Sequence, residues 1–587
     1  MRNLPGGWVL AAGLGLIGCG GGGGGGKSAA PAPRPEEVGQ QQEPPAPSPP
    51  TDLPLHIEGL YITQGSQRLD RSVPLAQGRP GYLRVFVLAR DWSGPAPAVQ
   101  VRIRDRDGRE MLDQDLPAPG RAVPRALQEA DRGRVWSLRL DGDLIQPGNT
   151  VQARIASVPA GTETGSLSFP ADGTPLAMNV VPAAPIQITF IPIRTAGQVG
   201  NVTSRGRTLQ SWVESLGQMY PLGQVTPRVG EEYVTTLDPQ DPQQRSQLLD
   251  RLEAMRLASG RDDYRYFFGV YPARVGINET GLAYVPSALD RLYRTAIGWD
   301  GIGSTEGSSY ANTAAHELGH TLGLRHAPCG SPGSFPQMTD PGFPNRDGGI
   351  GACGFEVRTG MPKDPNVYKD VMGYCSPVWS SDYDCKAILR FRAREPLGPA
   401  QGLGSGAEDC LLVRGRVSRG HVELEPAFQV HRAPIQPGTG DYRLEALDAH
   451  GAVLASVPFA PAAVDDLPDE PDRAAFCFVI PMTGAMKHSL ATLRVTRNGA
   501  VLGERHGAGH GLRSDAPQPH APRDSHGLVH LQWNPQAYPE VLVKDAHTGE
   551  VLSMGAGGRL ELATRAHELE CLFSDGLHTL ARKVAVQ

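Results

Sequence analysis

The stretch Ala315-His-Glu-Leu-Gly-His-Thr-Leu-Gly-Leu-Arg-His326 sets the reading of the whole chain. His316 and His320 are four residues apart, so on a helix both imidazoles project from one face, one turn from each other. That spacing lets two ring nitrogens share one tetrahedral zinc ion. Glu317 is adjacent but off the line of the histidines, placed to take a proton from water beside the metal instead of ligating it. Gly323 can adopt a positive φ, end the helix and turn the chain back so that His326 becomes a third ligand. Three histidines leave the fourth position open, as in a catalytic zinc site and unlike a structural one. The competing reading is a helix that carries surface histidines. A bare His-Glu-x-x-His arises by chance in roughly one or two chains per hundred of this length. With 72 Gly and 16 His in 587 residues, requiring the glycine and the third histidine lowers that to roughly one in ten thousand.

Position by position, His316-Glu317-x-x-His320-x-x-Gly323-x-x-His326 resembles the extended signature of the metzincin zinc peptidases. Those enzymes carry a Met-turn beneath the metal, and Asp370-Val-Met-Gly-Tyr374 resembles one, with Met372 46 residues beyond His326. The resemblance implies Met372 as the apolar floor of the site. It implies for Tyr374 the role of the astacin and serralysin tyrosine, which ligates zinc or hydrogen-bonds the tetrahedral intermediate. It covers about Pro185 to Arg394. Within that block Gly281-Leu-Ala-Tyr-Val285 is expected as the edge strand that pairs with an extended substrate, a buried strand being the alternative. No Pro-Arg-Cys-Gly type cysteine switch precedes the block. The implied activity is a zinc endopeptidase with one catalytic Zn2+, Glu317 as general base and a protein or peptide as substrate. The rival readings are a surface adhesin with a vestigial metal site and a zinc-scaffolded structural protein. An intact Glu317 argues against both.

Working outward, the expected fold class is multidomain α+β: a metzincin-like α/β catalytic domain over 183–397, flanked by N- and C-terminal β-sandwich domains. Short β runs at His56-Ile62, Tyr82-Ala89, Val99-Asp105, Val135-Leu140 and Val151-Ile155, separated by turn residues, predict a β-sandwich over 55–182. The pattern changes at Pro185. Strands at Ile186-Ile193 and Tyr264-Tyr271 alternate with helices at Thr208-Tyr220 and Gln243-Leu257, and a further helix is expected at Asp382-Arg392. The β pattern returns in a sandwich over 408–505 and a small β domain over 526–587. Two similar turn signals, Asp448-Ala-His-Gly and Asp545-Ala-His-Thr-Gly, mark these C-terminal units.

The first residues point to an extracytoplasmic destination. Arg2, the short apolar run from Trp8 to Ile17 and Leu16-Ile17-Gly18-Cys19 resemble the signal peptide and lipobox of bacterial lipoproteins, over 1–19. The resemblance implies lipidation of Cys19 and a membrane-anchored place in the cell envelope. Gly20, where an aspartate would signal inner-membrane retention, favours the outer membrane. Residues 20–54 begin with seven glycines and continue Pro/Ala/Gln/Glu-rich, the composition of a disordered tether. A net charge of −6 leaves no basic excess for phosphates, so nucleic acid is excluded as a partner class.

Outside the cytosol cysteines oxidise. Cys329-Cys353 and Cys375-Cys385 are the expected bridges, each closing a short loop beside the site, with Cys410-Cys477 as a staple of the C-terminal sandwich and Cys571 left free. Asp340, Asn345 and Asp347 lie in a Pro/Gly-rich loop that offers oxygen ligands to Ca2+, although loop polarity explains them more cheaply. His506, His510, His520, His526 and His530 lack paired-ligand spacing and read as solvated linker.

Overall fold

The computed structural model describes residues 54–90, 92–158, 164–260, 264–273, 281–287, 291–301, 309–330, 339–396, 406–465, 472–507 and 519–587. The Cys19 lipobox, the tether up to residue 53 and His510 lie outside them. The described chain is mostly β-sheet with few helices, organised around several separate hydrophobic cores.

Near the N-terminus, period-2 patterning places Val99, Val101 and Ile103 inward while Gln100, Arg102 and Arg104 stay half-exposed. A three-stranded sheet of His56–Thr63, Gly81–Leu88 and Trp136–Leu140 shares one core with a five-stranded sheet built on Val99–Arg104, Glu110–Leu116 and Thr150–Ile155. The five expected strands are present to within a residue or two. Glu110–Leu116 escaped the sequence reading because it is a polar strand on which only Leu116 is buried.

From Ile186 the chain builds a sheet with helices on both faces. Strands β1 (Ile186–Thr195), β2 (Val225–Val229), β3 (Tyr266–Tyr271), β4 (Gly281–Val285) and β5 (Thr295–Trp299) lie in the order β2-β1-β3-β5-β4. The first four run parallel and β4 is antiparallel to β5. Helix α1 (Leu209–Met219) is nucleated by a capping box in which the Thr208 side chain accepts from the Ser211 N–H. Its buried stripe Trp212, Val213, Leu216 and Met219 faces the sheet beside α3 (Tyr310–Thr321). On the opposite face α2 (Pro242–Ser259) starts with the Asp241 carboxylate accepting from Gln243 and Gln244 N–H, with proline as its first residue.

Helix α2 is buried on nearly every side because C-terminal strands cover what the sheet leaves exposed. It therefore carries a buried ion pair, Arg256 to Glu253 at 2.7 Å. The Glu253 carboxylate also accepts from the Tyr293 N–H and the Thr295 hydroxyl, both at 2.6 Å. Helix α4 (Asp382–Phe391) closes the block, capped by Ser381.

The C-terminal strands do not begin an independent sheet. Strands β6 (Glu408–Ser418), β7 (Ala462–Val464) and β8 (Ala474–Pro481) continue the sheet of the α/β block in the order β4-β7-β8-β6. Beyond them lie a four-stranded sheet over residues 442–506 and another over 540–585. The two similar turn signals both cap hairpins, with the Asp448 and Asp545 carboxylates each accepting two backbone N–H groups. Among the described residues no helix is long and apolar enough to cross a membrane.

Candidate metal centre

Helix α3 begins at Ser309, whose hydroxyl accepts from the Asn312 N–H, and ends at Gly323 with φ +86°. The Leu324 N–H reaches back to the Gly319 carbonyl, the closure typical of a left-handed C-cap. A β-carbon on residue 323 would also stand 2.7 Å from Phe391 of α4, so glycine is required by space as well as by φ. The turn delivers His326 to the face that carries His316 and His320. The Nε2 atom of His320 lies 3.2 Å from that of His316 and 3.2 Å from that of His326. Four nitrogens placed tetrahedrally 2.0–2.1 Å from a metal stand about 3.3–3.4 Å apart. The two separations from His320 are close to that spacing and all three ligand atoms lie within 4.8 Å of one another, a convergence in which lone pairs would repel without a cation.

Backbone carbonyls fix the outward nitrogens. His316 Nδ1 faces the Val371 carbonyl at 2.8 Å and His320 Nδ1 the Leu324 carbonyl at 2.9 Å. Donation from Nδ1 leaves Nε2 as the acceptor a metal needs. His320 and His326 are buried and His316 is half-buried, so the triad opens to solvent on one side. Among the described residues it is the one group of three or more His, Cys, Asp or Glu side chains close enough to share an ion.

Glu317 is 2% exposed. Space for it comes from β4, because a β-carbon on Gly281 would stand 2.5 Å from its Cγ and Cδ and closer still to Oε1. Gly319 plays the same part on the other side of α3, where a β-carbon would meet Met372 Sδ and the Tyr220 hydroxyl at 2.6 Å each. Met372 is fully buried there, and the Tyr220 hydroxyl donates to the Ala315 carbonyl at 3.2 Å. The turn that carries Met372 is held by Asp370, whose carboxylate accepts from the Met372 and Ser381 N–H groups at 2.7 Å each. Burial raises the pKa of Asp370, and burial together with the Asp370 charge raises that of Asp384 well above the usual carboxylate range. The Tyr374 side chain reaches the triad from this turn, its hydroxyl 3.0 Å from His326 Nε2 and the residue 48% exposed. All the residues singled out from the signature and the Met-turn are therefore brought together. The floor role of Tyr220 and the space left by Gly281 and Gly319 were not legible in the sequence, being set by what packs against them.

Other expectations are corrected. The disulfide is Cys329–Cys375, joining the segment after His326 to the residue after Tyr374. Cys353 and Cys385 are free and buried. Cys353 is held on a strand paired with Ser66–Gln67, next to Arg84, and Cys385 points into the core beneath α4 near Ser380. Cys410 and Cys477 lie on neighbouring strands but out of register, opposite Pro481 and Arg414, and stay reduced; Cys571 is free as expected. The strand Gly281–Val285 is not an open edge. It is buried throughout, and β7 pairs with it at Tyr284 and Val285.

In the loop considered for calcium, Asp340 accepts from the Gly342 N–H and the Tyr383 hydroxyl, Asn345 donates to the Gly349 carbonyl, and Asp347 pairs with Lys369 at 2.7 Å. Of the C-terminal histidines, His530 pairs with Asp524 and His506 with Thr492.

Residues 210–327, a segment that contains Glu317 and the three histidines, match the family model described as metallo-peptidase family M12B, Reprolysin-like. Family match and histidine triad together mark this segment as a metallopeptidase domain suited to zinc, whose substrates are proteins or peptides. Comparison with curated proteins gives no match. Among solved structures, a glycosyl hydrolase family 2 member from Bacteroides cellulosilyticus DSM 14838 aligns at 8% identity over 91% of this chain and 79% of its own, with TM-score 0.15. A beta-glycosidase from Bacteroides vulgatus aligns at 8% identity over 91% and 80%, with TM-score 0.16. Likenesses that slight bear on neither fold nor function.

Proposed function

We propose that the chain is a metzincin-type zinc endopeptidase whose ligands are His316, His320 and His326, with Glu317 as general base. The observation that carries this is the convergence of three imidazoles, with His320 Nε2 3.2 Å from Nε2 of both His316 and His326, beside a buried glutamate for which Gly281 leaves room. Bound at the triad, zinc supplies Lewis-acid activation of water and of the peptide carbonyl. Glu317 accepts the proton of the attacking water and passes it to the departing amine nitrogen. The Tyr374 hydroxyl donates to the carbonyl oxygen as negative charge develops on it. Met372 and Tyr220 keep the floor of the site apolar and in place. The adhesin reading assigns no purpose to a glutamate buried against a glycine, and the structural-zinc reading none to the solvent-open side of the triad.

The test compares Glu317→Gln with His320→Ala. Glutamine leaves the three histidines in place, so zinc should stay near one equivalent while casein hydrolysis falls by roughly 10²–10⁴-fold, the loss typical of removing a general base. His320→Ala should lose zinc and activity together. A Glu317→Gln protein that hydrolyses peptide at the wild-type rate refutes the mechanism.

We further propose that Cys19 is lipidated and holds the protein in the cell envelope, at the outer membrane. Support comes from the residues around Cys19, and two or three acyl chains give stable anchoring where a polar tether gives none. Cys19→Ala should move the protein to the soluble fraction, and identical partitioning of variant and wild type would defeat this reading.

A further inference from the structure

Strand β7 lies far along the chain from the zinc helix but adjoins the metal centre in space. It pairs antiparallel with β4, Val464 opposite Tyr284 and Ala463 opposite Val285, and with β8 on its other side. Ala462 and Val464 are buried in the core shared with α2, so the strand is built into the sheet. The next residue extends the pairing, the Asp465 N–H donating to the Ala283 carbonyl at 3.2 Å. Backbone bonds thereby fix where the Asp465 side chain begins. Its Oδ2 stands 3.7 Å from His320 Nδ1 and 3.9 Å from His326 Nδ1, and the side chain is 11% exposed.

A carboxylate so nearly buried is costly unless positive charge faces it. At these separations its attraction to the two Nδ1 atoms is one of charge, the distances being too long for a hydrogen bond. Imidazoles that offer Nε2 to a cation carry their proton on Nδ1, the nitrogen that lies within 4 Å of Asp465 on each ring. A negative charge there favours that tautomer and makes both rings better donors to the metal. We infer that Asp465 is a positioning residue of the metal centre, supplied by the C-terminal sheet, whose charge faces the Nδ1 sides of His320 and His326 and strengthens their hold on the ion, His320 being oriented as well by the Leu324 carbonyl. The inference rests on the zinc reading of the triad.

The test uses the full-length chain and measures zinc affinity by competition with a chromogenic chelator, alongside the melting temperature of the metal-free protein. Asp465→Asn should weaken zinc binding by roughly 10–100-fold, as loss of such a partner does elsewhere, with the metal-free melting temperature unchanged. Asp465→Glu, which keeps the charge, should recover most of the affinity. Zinc affinity within twofold of wild type in Asp465→Asn overturns the proposal. So does an equal loss in Asp465→Asn and Asp465→Glu, which would show that the residue matters for shape alone. A fluorescent peptide probe on a Glu317→Gln background gives a second readout. Peptide binding that tightens when Asp465 is neutralised, with zinc affinity intact, would make the residue an obstruction and likewise overturn the proposal. A wild-type protein that binds no zinc at all refutes the peptidase reading itself, an outcome distinct from any of these.

Discussion

Gly281→Ala is the substitution that best isolates Glu317 without touching the three histidines. The added methyl would lie 2.5 Å from Glu317 Cγ and Cδ, against an ordinary carbon contact of about 3.5 Å. The crowding is not relieved by a small rotation, because Glu317 is 2% exposed on a helix fixed at Gly319 by Met372 and Tyr220. The carboxylate must therefore move by about 1 Å or β4 must yield, and a 1 Å misplacement in an active site costs about 10²-fold in rate. Overpacking of this kind also costs about 1–3 kcal/mol of stability. The histidines are untouched, so zinc content should remain near one equivalent. The assay is kcat/KM on a fluorogenic peptide with zinc measured on the same samples. Wild-type kcat/KM in Gly281→Ala with zinc bound would refute the reasoning, because the glutamate would then not occupy the space that Gly281 leaves.

Tyr374→Phe should preserve zinc and lower kcat, since it removes a hydroxyl 3.0 Å from His326 Nε2 that would stabilise the oxyanion. The loss of one such donor is worth about 2.7–4 kcal/mol in other enzymes, and an unchanged kcat would remove Tyr374 from the mechanism. Replacing Cys329 and Cys375 together with serine opens a loop of 46 residues and should cost roughly 2–4 kcal/mol by thermal or denaturant melting. It should also reduce kcat, because the bridge ties the His326 segment to the turn that carries Tyr374; wild-type stability and kcat together would show that the bridge serves neither purpose.

The sequence by itself determined which side chains meet at the site and so the chemistry proposed for it, for a physical reason. Four-residue spacing on a helix, a glycine that reverses the chain and a histidine three residues beyond it are local geometry, and local geometry follows from local sequence. The stop at Gly323 was legible in the same way, whereas Thr208, Asp241 and Ser381 as caps and Gly260 as a left-handed stop emerge only from the folded helices. The Met-x-Tyr turn could be matched to helix α3 because its own spacing is short and local.

What depends on residues distant in sequence was decided only by the tertiary structure. Cysteine pairing illustrates this, since nearness along the chain favoured Cys329 with Cys353, whereas the fold brings Cys329 to Cys375 and sends Cys353 to Arg84 of the N-terminal sheet. The strand Gly281–Val285 has the composition of an edge or of a buried strand alike. Only the arrival of β7, from far along the chain, covers Tyr284 and Val285 and places Asp465 behind two of the histidines. No spacing rule reaches that far, because β-pairing is set by which apolar faces are left uncovered once the nearer elements have packed.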